Sequence, residues 1–451
     1  MKKLRPYQIE DVDFLSKRTR SGCFNEQRTG KTPIALKTFE KQGLKKILII
    51  CPASAVYQWA EEYEAWLNRP CIPFIGTPAQ RKQLLNTWTD GLAISYGLFK
   101  DTQRYTGFSQ LILKQKPDGV ILDEAHRIKN STTAITKAVF KCTCIPYRMA
   151  LTGTPAHNKA HEIFNILKWL YPDTFSSRWK FLEYFFKITT KYNASGVPFK
   201  EPGDFLPGKQ QELLRTLNNI STQRKRIDVM PWLPQKDYQQ VKLPCTPQQK
   251  KYLKELETYF ETEHILTQGI LDRLIRMRQI CLHPALLNLK GDSPKLNWIK
   301  DYLNDYPDRP TIIFSKFTSF IKILSQELPN IKKGVIIGET PIKERNSLKN
   351  AFQQGDLNLL ILNMDVGKEA LTLDRAEVAI FTDKYPPIGD IQQAEDRFIT
   401  TTKEHMDKPH LIIELMMKDT YDEQLYQLIQ QRKTETDIIN DYHRYLKREH
   451  S

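Results

Sequence analysis

A chain of 451 residues, 40% hydrophobic and 26% charged, is long enough for two or three domains and a sizeable core. It has no apolar run near the roughly 20 residues of a membrane span, and its start, MKKLRPYQIEDVDFL, lacks the continuous apolar segment of a signal peptide. Lysine and arginine outnumber aspartate and glutamate 67 to 52, a net charge of +15 that favours a polyanionic partner such as nucleic acid.

In chain order, SGCFNEQRTGKTPIAL (21–36) ends in Gly30-Lys31-Thr32, a phosphate-binding signature with Arg28 standing where a further glycine is usual. KKILIICP (45–52) and DGVILDEAH (118–126) are apolar runs ending in polar residues, read as buried parallel strands with functional groups at their carboxyl ends. Residues 54–67 have helical periodicity, with Ser54 as the expected cap. HEIFNILKWL, SRWKFLEYFF and QQELLRTLNNI then predict helices, as does QQKKYLKELETYFETEH (248–264). The Gly/Pro-rich stretch 191–208 between them reads as a connector, with a strand-separating pin as the alternative. Strand-like runs return at 309–317, 332–340, 357–365 and 376–384, and residues 420–451 read as a charged helix with no obvious core. The pattern is α/β, two doubly wound parallel-sheet domains. The expected limits are 1–160 for the first, 161–290 for a helical insertion and bridge, 291–420 for the second, and 421–451 for a helical tail. Seven cysteines, odd in number and scattered, fit reduced thiols in a cytoplasmic protein, and Cys142-x-Cys144 lacks the second pair of a zinc site. Trp59, Trp66, Trp169, Trp179 and Trp232 mostly sit among apolar residues at helical spacing, which favours core packing over base stacking.

Chemistry concentrates at two places. In a loop such as Thr29-Gly30-Lys31-Thr32, backbone N–H groups and the following helix dipole face phosphates, Lys31 reaches the β- and γ-phosphates, and Thr32 holds Mg²⁺. Asp123-Glu124 follows an apolar strand about 90 residues on, where one carboxylate holds Mg²⁺ and the next activates water. A solvated acidic pair is the bland alternative, and the loop upstream in the same expected sheet argues against it.

ILDEAHRIKN (121–130) followed by RMALTGTPAHN (148–158) resembles motifs II and III of the Swi/Snf-type ATPases of helicase superfamily 2. Other segments fall in that family's order. LRPYQIEDVDFL resembles the adenine-reading Q motif with Gln8 as the matching residue, LIICPASAVYQW motif Ia, and AISYGLF motif Ib. STQRKRIDVMPWLPQK resembles the family's basic stretch, and RMRQICLHPALL and SPKLNWIKDYL resemble the segments that follow. TIIFSKFTSFIKIL resembles motif IV, NMDVGKEALTLDRA motif V and QQAEDRF motif VI. QAEDR, DTYDEQLYQLIQQRK and the absence of room for a large accessory module resemble the compact annealing-helicase type, including phage members that migrate DNA branches.

The resemblance implies ATP and Mg²⁺ as cofactors and DNA as partner. It implies a monomer that translocates on branched DNA in replication, recombination or repair. It places ATP between two RecA-like domains, the first supplying Gln8, Lys31, Thr32, Asp123 and Glu124, the second Gln393 and Arg397. It assigns phosphate-backbone contacts to Ser54, Ser315, Lys316 and Thr372, which position without reading sequence. Three departures bear on it: Arg28 in the loop, Ala370 where motif V usually has glycine, and Thr400 where motif VI carries its second arginine. Loss of such an arginine finger is worth ~10³–10⁵ in rate in related phosphoryl-transfer enzymes. Arg397 or Lys403 then substitutes, or hydrolysis is slow. A DNA-binding clamp with weak or absent hydrolysis, a general duplex translocase and a protein-complex remodeller are the competing readings.

Overall fold

The computed structural model describes residues 3–101, 107–153, 160–192, 198–230, 236–258, 269–367, 373–385, 391, 394–397 and 410–431. The chain divides into two compact units, Met1–Pro231 and Trp232–Ser451.

The first unit is built on a seven-stranded sheet. Its strands are β1 (Arg20–Cys23), β2 (Ile47–Cys51), β3 (Cys71–Pro73), β4 (Gly91–Ser95), β5 (Gly119–Asp123), β6 (Tyr147–Leu151) and, after a separate hairpin of β7 (Phe186–Tyr192) and β8 (Pro198–Phe205), β9 (Ser221–Thr222). The order is β3-β4-β2-β5-β6-β1-β9, and every pairing is parallel. Residues 47–51 are all buried, which accounts for the unbroken apolar run of β2: a strand covered on both faces has no polar side to show. Helices α1 (Pro6–Ser16), α2 (Lys31–Lys41) and α3 (Val56–Leu67) carry the amino-terminal motifs.

The second unit has a six-stranded parallel sheet of order β10-β15-β14-β11-β13-β12. Its strands are β10 (Lys236–Leu243), β11 (Thr311–Ser315), β12 (Lys333–Ile336), β13 (Leu359–Asn363), β14 (Val378–Phe381) and β15 (His410–Met417). Alternate residues of β11 enter two cores, Ile312 and Phe314 one and Ile313 the other, so both faces are covered. Both units are therefore the expected doubly wound α/β type.

Three differences from the sequence reading have local causes. Residues 161–290 do not form a bridge of their own: the helices Phe164–Leu170, Arg178–Phe185 and Lys209–Ile220 belong to the first unit, and β10 with the helices Pro247–Thr258 and Ile270–Leu282 belongs to the second. The stretch 191–208 is partly strand, because β7 and β8 pair antiparallel from Phe186↔Phe205 to Tyr192↔Pro198, with a register shift between Phe186 and Ile188. The start of the tail has a core after all. The helix Tyr421–Gln430 buries Tyr421, Leu425, Tyr426 and Ile429, and residues 432–451 lie outside the described set.

Candidate nucleotide site

The loop after β1 is held in an unusual shape by α1. Gly30 has φ 76°, in the left-handed region that favours glycine, and a Cβ there would crowd the Gln8 side-chain amide, which its own hydrogen bonds hold in place. The Thr29 carbonyl accepts from the Tyr7 hydroxyl at 2.7 Å and from Gln8 Nε2 at 3.1 Å, while Thr29 Oγ1 donates to the Glu26 carbonyl at 2.7 Å. Gln8 Oε1 accepts the Arg5 N–H at 2.8 Å, the glutamine half of a capping box at the start of α1. Gln8, the residue expected to read adenine, here ties its helix to the loop. Arg28 has φ 63°, so it occupies a left-handed position that glycine takes without strain; its departure from the motif is a matter of backbone energy rather than of charge alone.

Lys31 opens α2. Its Nζ donates to the main-chain carbonyls of Asn25 at 3.0 Å and Glu26 at 3.1 Å, and a Cβ on Gly153, beyond β6, would lie 3.5 Å from it. The N–H groups of a helix's first turn have no intrahelical acceptor, and Pro33 at the third position has no N–H to lose. Thr32 lies beside Lys31 on this turn, half-buried.

The carboxylates stand at the end of β5. Asp123 Oδ2 accepts the indole N–H of Trp59 at 2.8 Å, Oδ1 accepts the Glu124 N–H at 3.0 Å, and the Tyr96 hydroxyl donates to the Asp123 carbonyl at 2.6 Å. Glu124 has φ 50°, a strained conformation of the kind concentrated at functional positions. Its Oε2 lies 3.2 Å from His126 Nδ1, which in turn lies 3.3 Å from Thr152 Oγ1 just past β6.

Burial, reinforced by the Glu124 charge, raises the Asp123 pKa to about 6, against the Trp59 hydrogen bond and the Lys31 charge. A carboxyl raised by the fold destabilises it on ionising: the penalty is absent below the ordinary value of 3.8 and complete above about 6. Asp123→Asn removes that penalty. In the nucleotide-free protein it raises unfolding stability near neutral pH by on the order of 1–3 kcal/mol, and the gain fades as pH falls toward about 4. Hydrogen exchange resolved to β5, corrected for the intrinsic rate at each pH, gives the opening free energy of both proteins across that range and measures it.

Of the residues expected to meet DNA phosphates, Ser54 sits in the turn Ala53–Ala55 and caps nothing, because α3 begins at Val56. Its Oγ is buried with no hydrogen-bond partner among the described residues. Ser315 is fully buried; its hydroxyl donates to Asp383 Oδ1 at 2.8 Å and accepts the Phe317 N–H at 3.3 Å, so it is an internal support and not a surface contact. Lys316 remains near the surface, its Nζ 2.6 Å from Asp365 Oδ1. Arg397 is half-buried, and its carbonyl accepts the Leu373 N–H at 2.9 Å, joining motif VI to the end of motif V. Thr372, Gln393, Ala370, Thr400 and Lys403 lie outside the described residues.

Next to Arg397, Glu395 meets Lys384 Nζ at 2.8 Å, Lys236 Nζ at 3.1 Å and the Tyr238 hydroxyl at 2.9 Å. Burial opposes its ionisation, yet Lys384 and Lys236 hold it below the usual carboxylate range.

Trp59, Tyr7 and Tyr96 were not expected at the site. Trp59 is 3% exposed, as core packing predicts, but its indole N–H needs a buried acceptor and finds Asp123. The one available signal was a tryptophan inside motif Ia.

Residues 7–286 match the family described as SNF2-related domain, and residues 294–400 match the helicase conserved C-terminal domain. The chromodomain-helicase-DNA-binding protein 1-like of Danio rerio is 25% identical over 98% of this chain and 44% of its own length. The DNA annealing helicase and endonuclease ZRANB3 of Mus musculus is 26% identical over 88% of this chain and 37% of its own length. The chain thus spans less than half of either relative. The Sulfolobus solfataricus SWI2/SNF2 ATPase core solved with dsDNA is 24% identical, with 95% of this chain and 91% of that chain covered and a TM-score of 0.44. With the SNF2-related match extending over more than half of its length, and the helicase C-terminal match following it in order, the chain belongs to the SNF2 family.

Proposed function

We propose that the chain is a DNA-dependent ATPase that translocates on duplex DNA and remodels branched structures such as forks and four-way junctions. The observation that carries the ATPase reading is the convergence of the left-handed Gly30, the Lys31 amine and the Asp123–Glu124 pair at the ends of β1 and β5 in one sheet. The donor set fits a magnesium nucleotide. Lys31 is held by neutral carbonyls that a phosphate would outbid, and Asp123 is a buried carboxylate beside a second one, an arrangement a divalent cation relieves.

Lys31 and the first turn of α2 would hold the phosphates, and Thr32 with Asp123 the cation; Mg²⁺ supplies charge neutralisation at the phosphates. Glu124 orients a water and takes its proton. Gln393 and Arg397 keep the hydrolytic roles the family resemblance implies. The +15 charge supports a DNA partner contacted through its backbone. Action on branches rests on the resemblance of QAEDR and the distal DTYDEQLYQLIQQRK segment to annealing helicases, and on the likeness to ZRANB3.

Steady-state ATP hydrolysis with no DNA, single strand, linear duplex, fork and four-way junction tests this, with Lys31→Ala as control. The expected result is strong stimulation, greatest with branched DNA, and its loss in Lys31→Ala. Equal stimulation by any duplex leaves a general translocase. Hydrolysis no higher than in Lys31→Ala on every substrate leaves a DNA-binding clamp.

A further inference from the structure

The basic stretch STQRKR (221–226) is the kind of sequence that reads as a DNA contact. The structure puts its backbone and Arg224 against the nucleotide loop. Strand β9 pairs with β1 at Gly22↔Ser221 and Cys23↔Thr222. Pairing then runs on past both strands: the Phe24 N–H donates to the Thr222 carbonyl at 2.8 Å, the Glu26 N–H to the Arg224 carbonyl at 2.9 Å, and the Arg226 N–H to Glu26 Oε2 at 2.7 Å.

Three side chains lock this arrangement. Asn25 Nδ2 donates to Asp11 Oδ2 at 2.7 Å, Arg224 Nε donates to Asp11 Oδ1 at 3.0 Å, and the Arg224 N–H donates to Asn25 Oδ1 at 2.9 Å. Asn25 is fully buried and Asp11 is 1% exposed, so neither oxygen of that carboxylate is left to water. Asn25 is thereby held at both ends of its amide. Its main-chain carbonyl, with that of Glu26, is what receives the Lys31 ammonium.

We propose that Arg224, acting through Asp11 and Asn25, is a positioning residue of the nucleotide site. It fixes the two carbonyls that aim Lys31, and it makes the loop and the last segment of the first unit before Pro231 one hydrogen-bonded piece. The proposal rests on the nucleotide reading of the loop. It assigns Arg224 to nucleotide binding and removes it from the DNA contacts.

The test is done on the full chain with Arg224→Ala, Arg224→Lys and wild type. Equilibrium binding of a fluorescent ATP analogue with Mg²⁺ is measured beside binding of a four-way junction without nucleotide at several salt concentrations. Arg224→Ala is expected to weaken analogue binding about 10-fold or more, as misplacement of a positioned group does, with junction affinity and its salt slope unchanged. Arg224→Lys, which keeps the charge but not the fork, is expected to fall between. A phosphate ligand would behave the opposite way: unchanged analogue binding and a salt slope shallower by about one. That result overturns the proposal, as does unchanged behaviour in both assays. If Arg224→Ala does not fold, Arg224→Lys decides, and unchanged analogue binding in it overturns the proposal. Wild type that binds the analogue but hydrolyses ATP on no DNA refutes the motor and leaves this positioning role intact. Wild type that binds no analogue overturns both.

Discussion

Glu124→Gln lowers DNA-stimulated turnover by ~10²–10⁴-fold while Mg·ATP binding stays within about threefold of wild type. The two effects separate because the two neighbouring carboxylates have different surroundings. Asp123 is anchored by the Trp59 indole and the Glu124 N–H, and its charge is close enough to Lys31 to feel it, which suits it to holding a cation. Glu124 is directed elsewhere by its left-handed backbone, toward His126 and, through it, Thr152 beyond β6. Glutamine has the same length and the same penalty at positive φ, so the loop keeps its shape and the site loses only a proton acceptor. Phosphate release with saturating duplex and titration of a fluorescent ATP analogue measure the two quantities. Wild-type turnover in Glu124→Gln removes this residue from proton transfer. A parallel loss of binding and turnover makes it a cation holder instead.

The sequence exposed what the chemistry or the solvent forces to be local. Strands β2, β5, β11, β13 and β14 are buried on both faces, and that alone produces the apolar runs that mark them. Strand β1, RSGC, has no such run; it is a strand because Arg20 to Cys23 lie in register with Arg148 to Leu151 of β6, a partner far along the chain. The β7–β8 hairpin was hidden by Pro198, Pro202 and Gly203, residues an unsupported edge tolerates and a central strand does not. At the site, Gly30-Lys31-Thr32 and Asp123-Glu124 were legible because phosphate and cation binding need those residue types at adjacent positions. The bonds that hold them were not. Gln8 to Thr29, Trp59 to Asp123 and Arg224 to Asp11 join residues 21, 64 and 213 positions apart, and a single hydrogen bond over that distance leaves no periodic trace. Motif membership also misled at Ser315, which Asp383 keeps inside: that buried carboxylate needs donors and takes the hydroxyl along with Arg278.

Lys295→Met destabilises the second unit by ~3–5 kcal/mol. Lys295 is 0% exposed and its partner Asp422 is 2% exposed. The ammonium donates to Asp422 Oδ2 at 2.8 Å and to the Thr382 carbonyl at 2.9 Å, so it joins the helix Pro294–Asp305, the end of β14 and the helix Tyr421–Gln430. Methionine fills most of the volume but leaves a buried carboxylate with its charge uncompensated. The Met417 N–H at 2.9 Å still reaches Asp422 Oδ2, and one amide does not replace an ion pair. The double variant Lys295→Met/Asp422→Asn removes both charges and keeps an acceptor for that N–H, so it recovers at least half of the loss, about 2 kcal/mol or more. Because two units need not unfold together, a single melting temperature is the wrong readout. Hydrogen exchange resolved to the helices 294–305 and 421–430 gives the local opening free energy. A loss below about 1 kcal/mol, the range of exposed pairs, means that the pair does not anchor the carboxyl-terminal helix. A double variant as unstable as the single one places the cost in lost packing at Lys295 rather than in the stranded charge.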